Sequence, residues 1–271
     1  MTPESNGASM AMDFSVPLAF WEQLQSSETS ALLLDYDGTL APFQIERDQA
    51  YPYVGVLPLL EEILRSRQTR IVVITGRPVP EVRALLSPLM GLEIWGAHGL
   101  DYLQLNGTIR KYTIDPKLVS LLETAAQVLR AKGFSDLLEV KPGGVAVHWR
   151  SLSEQEREKV RSETLGEWTP ISTTPDLKLL HFDGGLELRI AHPDKGDAIQ
   201  AILDDLPNKI PIAFLGDDMT DEDGFRALAN RGLPILVRDA YRPTHATAWI
   251  KPPEELLAFL TQWRNIVVRQ K

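Results

Sequence analysis

The chain contains no cysteine. That excludes a disulfide framework, a thiolate zinc site and a cysteine nucleophile, and it is compatible with a reducing compartment. No run approaches the ~18 apolar residues that a membrane-spanning helix requires. The opening fourteen residues lack the basic and apolar regions of a signal peptide and read as a leader on a cytoplasmic protein. There is no HExxH, GxSxG, GxGxxG or GxxxxGK, which leaves zinc-peptidase, serine-esterase, dinucleotide and P-loop readings without support. Internal repeats and low-complexity segments are also missing. Positive charge is in deficit: 28 Lys and Arg stand against 37 Asp and Glu, a net −9, which argues against nucleic acid or an anionic membrane as the partner.

What is present is an ordinary globular composition, 44% hydrophobic and 24% charged over 271 residues, enough for two modest domains. Helical and strand patterns alternate. Residues 16–27 read as a short amphipathic helix. Ala31–Leu34 is a wholly apolar run ending at Asp35, as expected of a strand covered on both faces. A helix after Pro52, a second buried strand (Ile71–Ile74), a short helix near 81–86 and a third strand (Leu92–Trp95) follow. This order predicts an α/β fold: a Rossmann-like parallel sheet with helices on both faces and right-handed crossovers.

The pattern then changes. Asp101–Leu105 and Thr108–Thr113 flank Asn106-Gly107, a strong hairpin signal. A helix over 117–131, strands 137–141 and 145–150, a charged helix over 153–163 and a second hairpin (177–182 and 186–190) around Asp183-Gly184-Gly185 suggest an inserted α+β unit. From Lys195 the parallel pattern resumes, with strands 212–215 and 234–237 and helices to 206, from 221 and from 253. The expected division is therefore core 1–105, insert 106–190 and core 191–271. Residues 106–190 carry twelve basic and twelve acidic side chains, so the whole −9 lies on the parallel-sheet part.

Ligands of open α/β sheets bind outside the carboxyl ends of the strands. Three inferred core strands end there in polar clusters: Asp35-Tyr36-Asp37-Gly38-Thr39, Thr75-Gly76-Arg77, and Gly216-Asp217-Asp218-Met219-Thr220-Asp221-Glu222-Asp223. A fourth, Asp194-Lys195-Gly196, opens a helix. Each alone reads as a helix cap; together, at equivalent positions, they read as one site. Asp35 and Asp37 can aim two carboxylates at one point, and Gly38 turns the chain away. Converging carboxylates need a hard dication, and oxygen ligands from Asp35, Asp37 and Asp217 with waters suit Mg²⁺ rather than zinc. Asp221, four residues after Asp217, is expected to hold a metal-bound water.

Asp-Tyr-Asp-Gly-Thr-Leu after an apolar strand, Thr-Gly-Arg, a later Lys-Gly, and Gly-Asp-Asp-Met-Thr-Asp-Glu-Asp resemble the four motifs of the haloacid-dehalogenase-like (HAD) phosphohydrolases. The resemblance covers about residues 30–260. The extended wording, Asp-Tyr-Asp-Gly-Thr-Leu-Ala-Pro with Gly-Asp-Asp-Met-Thr-Asp-Glu-Asp-Gly-Phe, resembles the trehalose-6-phosphate phosphatase branch, whose members carry an α+β cap (C2-type) between the second and third motifs. The resemblance implies Asp35 as nucleophile forming an aspartyl phosphate, and Asp37 as general acid and then base. It implies Mg²⁺ held by Asp35, Asp217 and the main-chain carbonyl of Asp37, with Asp218 and Asp221 supporting the shell. Thr75 and Lys195 would bind phosphoryl oxygens.

In the insert, Glu139-Val140-Lys141 and His148-Trp149-Arg150 resemble the cap segment that meets the sugar, and Glu187, in Glu187-Leu188-Arg189, matches the family as well. Gly96-Ala97-His98-Gly99 resembles the junction segment Gly-Asn-His-Gly, with Ala97 in place of Asn. His98, Gly99, Glu139, Lys141, His148, Arg150, Glu187 and Arg77 are therefore the substrate-binding candidates, while Trp149 also reads as cap core. His181, His192 and His245 have no metal-ligand spacing.

The expected activity is hydrolysis of trehalose 6-phosphate in trehalose synthesis, on a small-molecule sugar phosphate, by a cytoplasmic monomer or weak homo-oligomer with neither nucleic acid nor membrane as partner. Alternatives are a phosphatase of glucosylglycerol phosphate, mannosyl-3-phosphoglycerate or sucrose phosphate, a phosphomutase, and a non-catalytic sugar sensor. A receiver domain is much shorter and carries no inserted cap.

Overall fold

The computed structural model describes residues 15–44, 46–87, 89–182 and 184–269. The expected leader (1–14) and the turn residue Asp183 lie outside the described residues. The chain runs α1 (Leu18–Ser26), β1 (Ser30–Leu34), α2 (Val56–Ser66), β2 (Thr69–Ile74), α3 (Val79–Leu85), β3 (Glu93–Gly96), β4 (Asp101–Leu103) and β5 (Ile109–Lys111). It continues through α4 (Pro116–Ala131), β6 (Leu138–Lys141), β7 (Gly144–His148), α5 (Glu154–Ile171), β8 (Leu177–Phe182) and β9 (Gly185–Ile190). It ends with α6 (Lys195–Asp205), β10 (Ile212–Gly216), α7 (Glu222–Leu228), β11 (Leu233–Val237), β12 (Ala248–Ile250) and α8 (Glu254–Arg269).

The large sheet has eight strands in the order β12-β11-β10-β1-β2-β3-β4-β5. The strands from β12 to β3 are parallel, and β4 and β5 are antiparallel additions at one edge. All five residues of β1 and of β10 are buried, because helices cover both faces. On one face Phe20, Trp21, Leu60, Ile63, Leu256 and Trp263 pack over Leu32, Leu34 and Val73. On the other, Ile199, Ile202, Phe225 and Leu228 pack over Leu33, Val72 and Phe214. β1 lies between β10 and β2, where successive strands are laid down in opposite directions. A crevice opens at such a switch point, and Asp35 is the residue that enters it.

The second sheet is antiparallel, with four strands in the order β6-β7-β9-β8, and α4 and α5 cover one face. Two sequence expectations change here. The hairpin around Asn106-Gly107 belongs to the large sheet, because Ile109–Lys111 continue the antiparallel pairing of β4. The core therefore extends past residue 105, and the first element of the second unit is α4. The charged helix expected over 153–163 runs on to Ile171, through Gly166 and Pro170. Val160, Thr164 and Trp168, spaced by four, form its buried stripe, and Trp168 Nε1 donates to Ala125 O at 3.1 Å. That packing outweighs the weak local preference. The three-residue strand β12 was not expected. No helix among the described residues is long and apolar enough to cross a membrane.

Candidate active site

Three neighbouring strands, β10, β1 and β2, deliver Asp217, Asp35 and Thr75 to one end of the sheet. Lys195, the first residue of α6, reaches them from the side. The local turns leave little freedom: Gly38 has φ +80°, and a Cβ there would stand 2.2 Å from Asp217 Oδ2. Only glycine lets the chain after Asp37 pass this close to the second acidic loop.

Lys195 Nζ donates to Asp35 Oδ1 and to Asp221 Oδ1, each at 2.6 Å. All three side chains are buried. The other oxygen of Asp221 accepts the backbone N–H groups of Asp217 and Asp218, each at 3.0 Å. Asp217 Oδ1 is buried and has no hydrogen-bond partner among the described residues. Carboxylate oxygens from Asp35, Asp217 and Asp221 lie within 4.8 Å of one another. One ammonium therefore faces three carboxyl groups. Burial, and then the Asp221 charge, push Asp35 up to about 7 against the pull of Lys195. Burial and then the charges of Asp35 and Asp221 raise Asp217 well above the ordinary carboxylate range. Burial disfavours the Lys195 charge, but Asp221 and Asp35 hold it protonated. An orphaned carboxylate oxygen in an all-oxygen donor set fits a hard divalent cation.

Of the five expected metal residues, Asp35, Asp217 and Asp221 gather. The Asp37 carboxylate instead lies on Arg77, whose Nε and Nη2 donate to its two oxygens at 2.6 Å each. The Asp218 side chain lies outside the group and is half-buried. Arg77 was expected as a substrate contact. Its guanidinium is 4% exposed, spends its third nitrogen on Arg47 O at 2.6 Å, and lies 5.5 Å from the Tyr36 ring, so its contacts serve Asp37. Thr75 is buried at the crevice floor, where its hydroxyl accepts the Arg77 backbone N–H at 3.1 Å.

Glu139, Lys141, His148 and Glu187 form one cluster on the face of the second sheet opposite α4 and α5. The register sets Ala146 between Glu139 and Glu187, and Gly144 between Lys141 and Arg189. Small residues on the middle strand thus leave room for charged neighbours on both sides. Lys141 Nζ lies 3.5 Å from both Glu139 Oε2 and Glu187 Oε1, and His148 Nε2 is 2.9 Å from Glu139 Oε2. Burial and then the Lys141 charge push the imidazole of His148 down to about 4. The Arg150 guanidinium lies 5.5 Å from the Phe43 ring, and Trp149 is in the core of the second unit. His98 lines a narrow cleft with Gly76, Lys141, Glu187 and Arg189. Its Nδ1 is buried without a partner among the described residues, and burial with the nearby cations Arg189, Lys195 and Lys141 keeps the ring neutral. Gly76 leaves room for that ring, since a Cβ there would be 2.6 Å from His98 Nε2. A Cβ at Gly99 would stand 3.3 Å from Asp194 O and 3.4 Å from Pro193 Cβ, so the chain here passes close to the start of α6.

A family model described as trehalose-phosphatase matches residues 33–249. The chain belongs to the trehalose-phosphatase family. Similar curated relatives are the trehalose-phosphate phosphatases of Mycobacterium ulcerans (29% identical over 244 residues, 84% of this chain and 60% of that one) and Mycobacterium tuberculosis (30% over 244 residues, with the same coverages). A third is the probable trehalose-phosphate phosphatase 4 of Oryza sativa subsp. japonica, 30% identical over 252 residues, 86% of this chain and 66% of that one. The chain spans 60% of the length of the mycobacterial relatives. Among solved structures, the Candida albicans trehalose-6-phosphate phosphatase C-terminal domain superposes with a TM-score of 0.80 at 18% identity, covering 94% of this chain and 99% of that one. A haloacid dehalogenase-like hydrolase from Bacillus subtilis does so at 0.58 and 18% identity, over 85% and 98%. The chain thus has the HAD fold.

Against this trehalose-phosphatase framework, four cationic side chains stand out that are not among the expected site residues. Arg242 Nη2 donates to Asp218 O at 2.8 Å and to Asp217 O at 3.3 Å, while Nη1 pairs with buried Glu222. Glu222 also accepts Thr244 Oγ1 and the His245 N–H, each at 2.8 Å, so this pair clamps the acidic loop. Lys178 of β8 pairs with Asp194 at 2.9 Å and Asp223 at 3.2 Å. Arg189 is buried, and its Nη2 donates to Pro193 O at 3.1 Å. Arg47 contacts Glu139 and Glu81. Arg242, Lys178 and Arg47 stand alone in irregular or alternating segments, and no spacing rule marks them; Arg189 belongs to the Glu187-Leu188-Arg189 segment.

Proposed function

We propose that this chain is a Mg²⁺-dependent phosphomonoesterase that hydrolyses trehalose 6-phosphate to trehalose and phosphate, with the second sheet and its helices as a cap over the core. The observation that carries the reading is the buried ammonium of Lys195 shared by Asp35 and Asp221 beside the orphaned oxygen of Asp217, in a chain matched over residues 33–249 by the trehalose-phosphatase family. The names of the relatives support the sugar.

Lys195 holds Asp35 Oδ1, and Oδ2, which accepts only a long hydrogen bond of 3.5 Å from Thr39 Oγ1 among the described residues, is the oxygen left for in-line attack. A bond forms from Asp35 to phosphorus, and the bond from phosphorus to the sugar oxygen breaks. Asp37, fixed by the Arg77 fork, delivers a proton to that leaving oxygen. In the second half-reaction Asp37 takes a proton from water, which attacks phosphorus and releases phosphate and free Asp35. Thr75 and Lys195 bind the phosphoryl oxygens. Asp35 and Asp217 would hold Mg²⁺, with the Asp37 carbonyl, and Asp221 and Asp218 would steady that set. When bound, the cation offsets the negative charge of the transferring phosphoryl group. Glu139, Lys141, His148 and Glu187 offer charged partners for sugar hydroxyls, and His98 lines the cleft between them and Gly76.

Phosphate release from trehalose 6-phosphate, with and without Mg²⁺, tests the reading. The wild-type chain should turn over only with the cation, and Asp35→Asn should abolish release. Cation-dependent turnover that survives Asp35→Asn rejects the assignment.

A further inference from the structure

The two edges of the cap sheet meet the core differently. At the β8 edge, Lys178 is tied to Asp194 and Asp223 beside the chain crossing. At the opposite side, Arg47 lies beside Glu139 of β6, and Phe43 lies beneath Arg150, which follows β7. Arg47 opens the short turn Arg47–Gln49, which Tyr36 braces by donating its hydroxyl to Ala50 O at 2.7 Å. Its Nη1 donates to Glu139 of the cap, and its Nη2 to Glu81 of α3 at 3.1 Å. Its main-chain carbonyl accepts Arg77 Nη1 at 2.6 Å. Arg77 holds both oxygens of Asp37. One residue therefore touches the cap carboxylate through its side chain and the residue that aims Asp37 through its backbone.

We propose that Arg47 is a positioning residue for specificity: a strut that sets the span between Glu139 and Asp37, fitting the site to phosphomonoesters whose leaving group is a polyhydroxylated glycoside. The inference rests on the phosphatase reading above. A glycosyl leaving group meets both ends of this span, its bridging oxygen at Asp37 and its remote hydroxyls at Glu139. A small aryl leaving group meets only Asp37 and is indifferent to where Glu139 stands. Arg47 reaches the two carboxylates with separate nitrogens, Nη1 and Nη2, whose spacing the planar guanidinium fixes, whereas a single ammonium fixes no such spacing. Truncating the side chain leaves the main-chain carbonyl, and hence the support of Arg77, in place.

Steady-state kinetics on trehalose 6-phosphate and on p-nitrophenyl phosphate, both with Mg²⁺, separate the two ends. Arg47→Ala should lose about tenfold or more in kcat/KM on the sugar phosphate and less than about twofold on the aryl phosphate, which also reports that the variant is folded. Arg47→Lys should recover part of the loss. Combined with Glu139→Gln, Arg47→Ala should add little, because both changes break one span. Equal losses on the two substrates, no loss on either, or additivity with Glu139→Gln overturns the strut. A wild-type chain that turns over the aryl phosphate but not the sugar phosphate rejects the parent reading and the strut together. An active wild type matched by Arg47→Ala rejects the strut alone.

Discussion

Arg77 holds Asp37 by both carboxylate oxygens, at 2.6 Å each, from a guanidinium that is almost fully buried. A fork–fork pair fixes the plane of the carboxylate as well as its distance, which a point charge cannot do. Arg77→Lys should keep the charge and lose the orientation, reducing phosphate release about 10- to 100-fold. The fall should appear mainly in kcat, measured under saturating substrate. An unchanged kcat would mean that Asp37 is not the proton carrier.

The three acidic groups around Lys195 predict a trade between stability and cation binding. Asp35 is pushed up to about 7 from an ordinary 3.8, and Asp217 is raised as well, in both cases first by burial. A carboxyl raised on folding makes the cation-free folded chain hold more protons than the unfolded chain. The stability it contributes is full below about pH 4 and is lost as pH rises through about 7. A cation that binds the ionised carboxylates counters that loss. The melting-temperature gain on adding Mg²⁺ to chelator-treated protein should therefore be larger at pH 8 than at pH 5.5. Asp217→Asn should raise the cation-free melting temperature at pH 8 by roughly 2–4 °C and remove most of the Mg²⁺ response. A gain independent of pH would place the cation elsewhere.

Gly38 tests the approach of the two acidic loops. Its φ of +80° and the 2.2 Å that would separate a Cβ there from Asp217 Oδ2 leave no room for a methyl group. Gly38→Ala should cost about 1–3 kcal/mol of unfolding free energy in denaturant titration. It should also lower turnover sharply, because Asp217 must shift. A stable, fully active variant would contradict the packing described here.

Much of this architecture was legible in the residues. The apolar runs Ala31–Leu34 and Ile71–Ile74 announced buried parallel strands because no solvent-facing position interrupts them. The clusters at Asp35, Thr75 and Asp217 are visible because strand ends in such folds converge at one place, and Lys195 because it opens a helix beside them. The edge of the insert was less visible: Asn106-Gly107 marks a turn but not the sheet that receives its second strand. The end of α5 is less legible because Trp168 is held by α4, a contact between elements that local pattern does not encode. Arg77 carried the second motif yet turned out to serve Asp37. Arg47 and Arg242 were silent, since each acts through partners distant in sequence, Glu139 and the carbonyls of Asp217 and Asp218.

The central claim concerns which phosphate ester is cleaved, and a comparative turnover panel tests it most directly. Wild-type chain with Mg²⁺ would be given trehalose 6-phosphate, sucrose phosphate, glucosylglycerol phosphate and mannosyl-3-phosphoglycerate in parallel, with Asp35→Asn as the control. Trehalose 6-phosphate should show the highest kcat/KM by at least about tenfold, the discrimination that a few sugar-hydroxyl contacts provide. Far higher efficiency on another glycosyl phosphate, or no Mg²⁺-dependent release from any of them, would contradict the account.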